Sequence, residues 1–324
     1  MTRVFITIDT EYSSGLAHDL SPAGRADNFA RSIACQTPDG AAGIPHKLDL
    51  LARHGLKAVF FVDPMPALVW GVAAIEDVVG PILEAGQDVQ LHCHTEWLER
   101  AGAHRLIAGS RTGQNLYDFA FEEQCAILHY ARDTLIAAGA PRPVAFRAGN
   151  YGANDDTLRA LADLGISYDT SHCPGLPGGA ARFSLPEETR DPVRHEGVIE
   201  VPVGCIGSLS GGLRHAQITA LSLDEMCCAI RHAGAVGQRS FTLVSHSFEL
   251  FNRRKMAVNP IVRRRFDKLC AWLADEPGVT TGNYRDNPPA LAPVVASPPL
   301  PAHPVRILRR HAEQLLSNAL YGAL

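Results

Sequence analysis

Short runs of apolar, β-branched and aromatic residues alternate along this chain with stretches of helical periodicity. "VFITID" (4–9), "KAVFFVD" (57–63), "DVQLH" (88–92), "PVAFR" (143–147), "VIEVPV" (198–203) and "SFTLVSH" (240–246) read as strands. Several are apolar on both faces, the pattern of parallel strands covered by helices. Between them, "IPHKLDLLARHG" has Pro45 in its first turn and Gly55 just past its last. "DFAFEEQCAILHYARDTLIAAGAP" repeats apolar residues at Phe121, Leu128, Ala131 and Leu135 before stopping at Gly139 and Pro141. "NDDTLRALADLG" offers Asn154 as a cap and Gly165 as a stop, and Ser222 stands three residues before Glu225, the spacing of a capping box. Alternating strands and helices imply parallel pairing with right-handed crossovers, and the repeats share no residue-level similarity, so the fold class expected is α/β, as one barrel.

The pattern changes near the end. "DNPPALAPVVASPPLPAHP" is proline-rich and almost uncharged, which predicts an extended tether over 286–304 behind a body spanning 1–285. Residues 305–324 follow as a short amphipathic helix, expected to dock on the body, on a second copy as a homo-oligomer, or peripherally on a membrane surface. Within the body, 20–43 and 175–197 are the longest non-periodic stretches, and loops of that length usually shape binding sites.

Charge and composition narrow the possibilities. The 324 residues carry 30 basic and 34 acidic side chains, scattered, which gives no footprint for nucleic acid. No apolar run reaches the ~18–20 residues of a membrane-spanning helix. The first residues read as a strand, without a secretory leader, and the eight cysteines show no C-x-x-C pair. Reduced thiols and a cytoplasmic location are therefore expected.

The chemistry collects where strands end. "VQLHCHTEW" sets His92, His94 and Glu96 two residues apart, a dense group of metal-ligand types. "TIDTEY" supplies Asp9 and Glu11, "FRAGNYG" Arg147 and Tyr151, "YDTSH" Asp169 and His172, and "LVSHSFE" His246. Each alone has a structural reading as a cap, ion pair or buried histidine. Together they fall at the carboxyl ends of predicted strands, where α/β barrels place function.

The ordered motifs resemble those of the NodB-homology polysaccharide deacetylases, carbohydrate esterase family 4, in its cytoplasmic, signal-free branch. "TIDTE" resembles the first motif, "HGLKAVFFV" the following strand, "GQDVQLHCH" the histidine motif, "FRAGNYG" the arginine motif, "YDTS" the aspartate motif and "LVSH" the closing leucine–histidine motif. The likeness covers residues 3 to about 250. It implies a distorted (β/α) barrel of about seven parallel strands and removal of N-acetyl groups from an amino sugar, glycan or sugar precursor. It also implies a divalent cation, zinc by ligand type, held by Glu11, His92 and one of His94 and Glu96. A strand continuing to 96 would face all three toward the cation, whereas a turn after His92 would pair it with Glu96 and swing His94 away. Two departures stand out: Thr10 separates the two carboxylates of the first motif, and Glu96 occupies the usual place of a second histidine. By the same resemblance Asp9 is the general base, Arg147 its partner, His246 the general acid and Asp169 a group tuning His246 or the arginine. A backbone N–H near Tyr151 would meet the oxyanion. Tyr12 and Trp97 are candidates for lining the sugar site, with core packing as the alternative. Two other readings share the fold: hydrolysis of another linear or cyclic C–N amide, and a catalytically silent carbohydrate-binding barrel.

Overall fold

The apolar runs become the strands of one nine-stranded sheet. The computed structural model describes residues 2–102, 106–107, 112–176, 180–291 and 297–322. The strands are β1 (Thr2–Thr10), β2 (Ala58–Val62), β3 (Asp88–Cys93), β4 (Ala145–Ala148), β5 (Tyr168–Asp169), β6 (Val193–His195), β7 (Val198–Glu200), β8 (Ser240–His246) and β9 (Val279–Thr281). Their order is β8-β1-β2-β3-β4-β5-β7-β6, with β9 also on β1, and every pairing is parallel except β6 with β7. The expected distorted barrel is present as a curled half-barrel, open between β6 and β8 among the described residues. β7 is shorter than the predicted strand 198–203, and Pro202 accounts for this because it has no N–H to give a ladder.

Alternation along β1 separates two environments. Val4, Ile6 and Ile8 join Phe60, Leu91 and Phe146 in the large core beneath the helices. Phe5 projects to the other side, with Val59, Phe61, Ala145, Val201 and Tyr284. Thr7 and Asp9 share the Phe5 side, so the inner wall is apolar near the strand starts and polar at their carboxyl ends.

The helices covering the sheet include α1 (Pro22–Ser32), α2 (Ile44–Arg53), α3 (Ala73–Glu84), α4 (Glu96–Ala101), α5 (Phe121–Ala137), α6 (Asp155–Asp163), α7 (Leu223–Ala235) and α8 (Pro260–Asp275). The Asn154 cap accepts from the Thr157 N–H, and Ser222 and Glu225 complete the capping box on α7. The stretch 20–43, expected to be non-periodic, holds α1 and a small hairpin. Its inward residues are Asn28 and Ser32 rather than an apolar stripe, and Asn28 bonds both backbone groups of Ser13. The stretch 175–197 contains β6, with 177–179 outside the described residues.

The proline-rich segment is pinned to the body where it is described. The Ser297 N–H donates to Asp191 (2.7 Å) and the Gly207 N–H to the Leu300 carbonyl (2.8 Å). α9 (Pro304–Tyr321) then lies against the body by polar contacts: Arg310 with Glu225 at 3.2 Å, Arg265 with Glu313 at 3.0 Å, and Asn259 with Ser317 at 2.7 Å. Its leucines 308, 315, 316 and 320 face outward. Among the described residues no helix is long and apolar enough to cross a membrane.

Both members of the Arg310–Glu225 pair are almost fully buried. Arg310→Met leaves Glu225 charged and unpaired, and such losses cost about 3–5 kcal/mol. The urea unfolding midpoint should fall accordingly; an unchanged midpoint would mean that α9 contributes nothing to the body's stability.

Candidate active site and metal centre

Arg147, at the end of β4, has no exposed surface and reaches across the inside of the curl. Its Nη1 donates to Asp9 Oδ1 (2.7 Å) and to Thr7 Oγ1 (2.8 Å) on β1, and its Nε to the Thr170 carbonyl (3.2 Å). Phe61 of the intervening β2 lies under the guanidinium, 4.6 Å from the ring centre. Asp9 pairs with His246 in the β1–β8 register, which brings Asp9 Oδ2 to 3.8 Å from His246 Nε2.

His92 sits beside Arg147 in the β3–β4 register, and its Nδ1 donates to the Arg147 carbonyl at 2.7 Å. That tautomer leaves the Nε2 lone pair directed at Glu11, whose Oε2 is 3.2 Å away. His94 Nε2 approaches the same oxygen at 2.5 Å, while its Nδ1 faces Glu96 at 3.1 Å. Glu11, His92 and His94 thus bring one ligand atom each within 4.8 Å of the others. Glu11 Oε2 is buried and has neither imidazole in hydrogen-bond alignment despite the short separations. A carboxylate oxygen and two Nε2 lone pairs converging without a satisfying proton fit a divalent cation. Burial alone would raise the Glu11 pKa, but the charge that His94 carries when protonated, with the contacts to His92, holds it well below its ordinary value, the same pull a bound cation would exert.

Neither conformation anticipated for residues 92–96 occurs. β3 ends at Cys93 and α4 begins at Glu96, yet His94 stays beside His92, their ring centres 4.9 Å apart. Glu96 lies behind His94 instead of in the ligand group and accepts from Asn150 as well (3.1 Å). Gly149 makes this packing possible: a Cβ there would lie 2.7 Å from His94 Nδ1 and 2.8 Å from the Cys93 carbonyl. Asn150 and Tyr151 both adopt φ of 55°, an uncommon pair of left-handed residues at the mouth of the site. The Tyr151 hydroxyl is buried without a hydrogen-bond partner.

Several placements differ from expectation. Asp169 accepts from the backbone and hydroxyl of Ser171, has Glu200 as its carboxylate neighbour, and feels the charge of Arg147 without hydrogen-bonding to it or to His246. Burial raises both carboxyls; Asp169 raises Glu200 further by its charge and its contact, whereas Glu200 and Ser171 draw Asp169 back down, which favours one proton shared by the pair and held on the Glu200 side. The carboxylate at His246 is Glu249, 3.6 Å from Nδ1. Tyr12 and Trp97, considered for the sugar site, are buried at 2% and 0% exposure and pack around Trp70. His172 is buried beside a cleft of about 440 Å³ that also contains Tyr117, Cys173, Arg182 and Phe183.

Sequence reasoning missed Glu249, Lys47, Asp63 and Glu200. Lys47, on α2, is buried and donates to Ser245 Oγ (2.6 Å) and the His246 carbonyl (2.7 Å); burial pulls its pKa down to about 8 against the pull of Glu249. Glu249 accepts from Gln217, Thr219 and the His246 N–H, and His246, Lys47 and Gln217 outweigh burial to hold it at about 2. Asp63 follows β2, accepts from the Met65 and His94 N–H groups, and is pushed up to about 7 by burial. A second group, Asp155, His195 and Glu196, also has ligand-like spacing. There Asp155 is engaged by His195 and Ser184 and Glu196 by Arg159, so its partners are already supplied.

No protein-family model and no curated protein matches the sequence. Solved structures do resemble the fold. A Mycobacterium smegmatis protein assigned as a polysaccharide deacetylase superimposes with a TM-score of 0.53 at 16% identity, over 91% of this chain and 94% of that one. A family 4 carbohydrate esterase from Streptomyces lividans, in complex with acetate, gives a TM-score of 0.45 at 14% identity, over 90% and 98%. A family 4 pseudoenzyme from Bacillus anthracis gives 0.43 at 11% identity, over 87% and 63%. The curled, mostly parallel half-barrel sheet is thus the polysaccharide deacetylase fold that the Mycobacterium smegmatis protein shares.

Proposed function

We propose that this chain is a metal-dependent hydrolase that removes N-acetyl groups from an amino sugar, glycan or sugar precursor. One observation carries the reading: the Glu11–His92–His94 group lies beside an aspartate that is held by a buried arginine and faces a histidine. A divalent cation, zinc by this ligand set, would be held by Glu11, His92 and His94 and would supply Lewis acidity, lowering the pKa of water and drawing charge from a developing oxyanion.

The side chains have complementary roles. Arg147 fixes Asp9 through Oδ1 and leaves Oδ2 to accept a proton from the attacking water. His246 stands across from that oxygen and protonates the departing amine nitrogen. Burial disfavours the imidazolium, but Glu249 and Asp9, with Glu11 farther off, raise the His246 pKa above its ordinary value. The acid form therefore persists to higher pH. Lys47 is the cation facing this cluster from α2, and it holds the His246 carbonyl. A backbone N–H in the Gly149–Tyr151 turn would meet the oxyanion. Glu96 serves as the carboxylate that orients His94, not as a ligand. A cytoplasmic setting accords with eight free cysteines.

Zinc titration of chelator-treated protein should show one tight site that Glu11→Ala, His92→Ala and His94→Ala each abolish. Glu96→Gln should weaken it only about 10–100-fold. Equal loss in Glu96→Gln and His94→Ala would make Glu96 a ligand after all.

Against a panel of N-acetylated sugars and cyclic amides, the zinc-loaded protein should release acetate from a sugar. Asp9→Asn and His246→Ala should each lower kcat/KM about 10²–10⁴-fold while zinc content is retained. Product from cyclic amides alone would replace the deacetylase reading with the other C–N hydrolase, and product from none would leave a silent barrel.

The pH profile is a separate check. Because His246 acts protonated and Glu249 raises its pKa, Glu249→Gln should move the alkaline limb of kcat/KM to lower pH. A limb that stays in place would show that Glu249 does not tune the acid.

A further inference from the structure

On its open side His246 lines a cleft of about 430 Å³ shared with Gln217, Phe248, Glu249, Arg253 and Arg254. The arginines occupy the tip of a short hairpin, Phe251–Asn252 paired with Ala257–Val258. Arg253 is half-buried, and its guanidinium lies 4.0 Å from the centre of the Phe248 ring. That ring in turn sits 5.3 Å from the His246 ring, so the cation stands one aromatic ring away from the group assigned as general acid. Among the described residues the Arg253 side chain makes no hydrogen bond and no ion pair.

The nearby carboxylates are already engaged. Glu249 is held by Gln217 and Thr219 and feels the charge of Lys47, while Glu11 faces two imidazoles. Arg254 is exposed at the rim and makes no ion pair among the described residues. Lys255, the third cation of the turn, lies toward Gly322 at the carboxyl end of α9. The turn is also fixed: Asn252 Oδ1 accepts the N–H groups of Arg254 and Lys255, and its amide donates to the Tyr321 carbonyl at 2.8 Å. A half-buried guanidinium that feels the charge of Glu11 but makes no ion pair among the described residues, on a turn pinned by Asn252 and beside His246, is arranged for a ligand that brings the anion. Its planar fork matches phosphoryl oxygens in pairs, and a second arginine at the rim suits a dianion better than a monoanion.

We propose that this cleft binds a phosphoryl group carried by the N-acyl substrate, with Arg253 as its anchor and Arg254 as an outer cation. The substrate is then a phosphorylated amino sugar, either a sugar monophosphate or a sugar esterified to a diphosphate, and not a neutral glycan. The identity of the rest of the ligand rests on the deacetylase reading above; the anion site itself does not.

Calorimetric titration of the full-length, chelator-treated protein separates the two. The probes are inorganic phosphate, N-acetylglucosamine, its 1-phosphate, and its uridine diphosphate ester. The phosphorylated sugars should bind at least tenfold tighter than the uncharged sugar, and the tighter of the two identifies the source of the phosphoryl group. Arg253→Gln should erase that preference, Arg253→Lys should keep part of it, and Arg53→Gln, at an exposed arginine on α2, should leave it intact. Equal affinity for charged and uncharged sugars, or an unchanged preference in Arg253→Gln, would overturn the proposal. Preferential phosphate binding that depends on Arg253, with no acetate released from any sugar by the zinc-loaded protein, would keep the anion site and reject the deacetylase reading instead.

Discussion

The guanidinium of Arg147 is the point on which the polar end of this half-barrel depends. It is fully buried, permanently charged and three strands away from the aspartate it binds, so it can reach Asp9 only because the sheet curls. Its own backbone carbonyl fixes the His92 tautomer. One residue therefore orients the proposed base through its side chain and a proposed ligand through its main chain. The apolar layer beneath it, from Phe5 to Tyr284, keeps water from solvating the cation from below. Its charge is then satisfied by Asp9, Thr7, Thr170 and the Phe61 ring.

From that point charges alternate across the site. Arg147 faces Asp9, Asp9 faces His246, His246 faces Glu249, and Lys47 lies beneath His246 within the field of Glu249. Each buried charge has an opposite neighbour, which is the condition for keeping several of them in a low-dielectric interior. Lysine and glutamate also act on the backbone: Lys47 holds the His246 carbonyl and Glu249 the His246 N–H. The histidine is thus held through both peptide units that flank it, with its ring left between Asp9 and the open cleft.

Much of this arrangement was legible in the sequence. Strand ends are marked by apolar runs that stop at polar residues, and period-two alternation places Thr7 and Asp9 together on one wall. Caps at Asn154 and Ser222 follow from local chemistry and were readable for that reason. α1 was not readable, because it buries Asn28 and Ser32 and so carries no apolar stripe. Lys47 looks like an ordinary helix lysine until the fold brings it to residues 198 and 199 positions away. Glu249 had a visible signal in its spacing three residues after His246, and Asp63 ends a strand just as Asp9 nearly does. The turn at 94–95 could not be read, since His94 keeps its place only because Gly149, on another strand end, makes room for its ring.

The central claim is that Glu11, His92 and His94 share one cation next to Asp9. Anomalous diffraction at the zinc absorption edge, from crystals grown with zinc, tests it most directly. The account requires a single strong peak about 2 Å from Nε2 of both histidines and from a Glu11 oxygen. A peak at Asp155, His195 and Glu196 with none at Glu11 would contradict it.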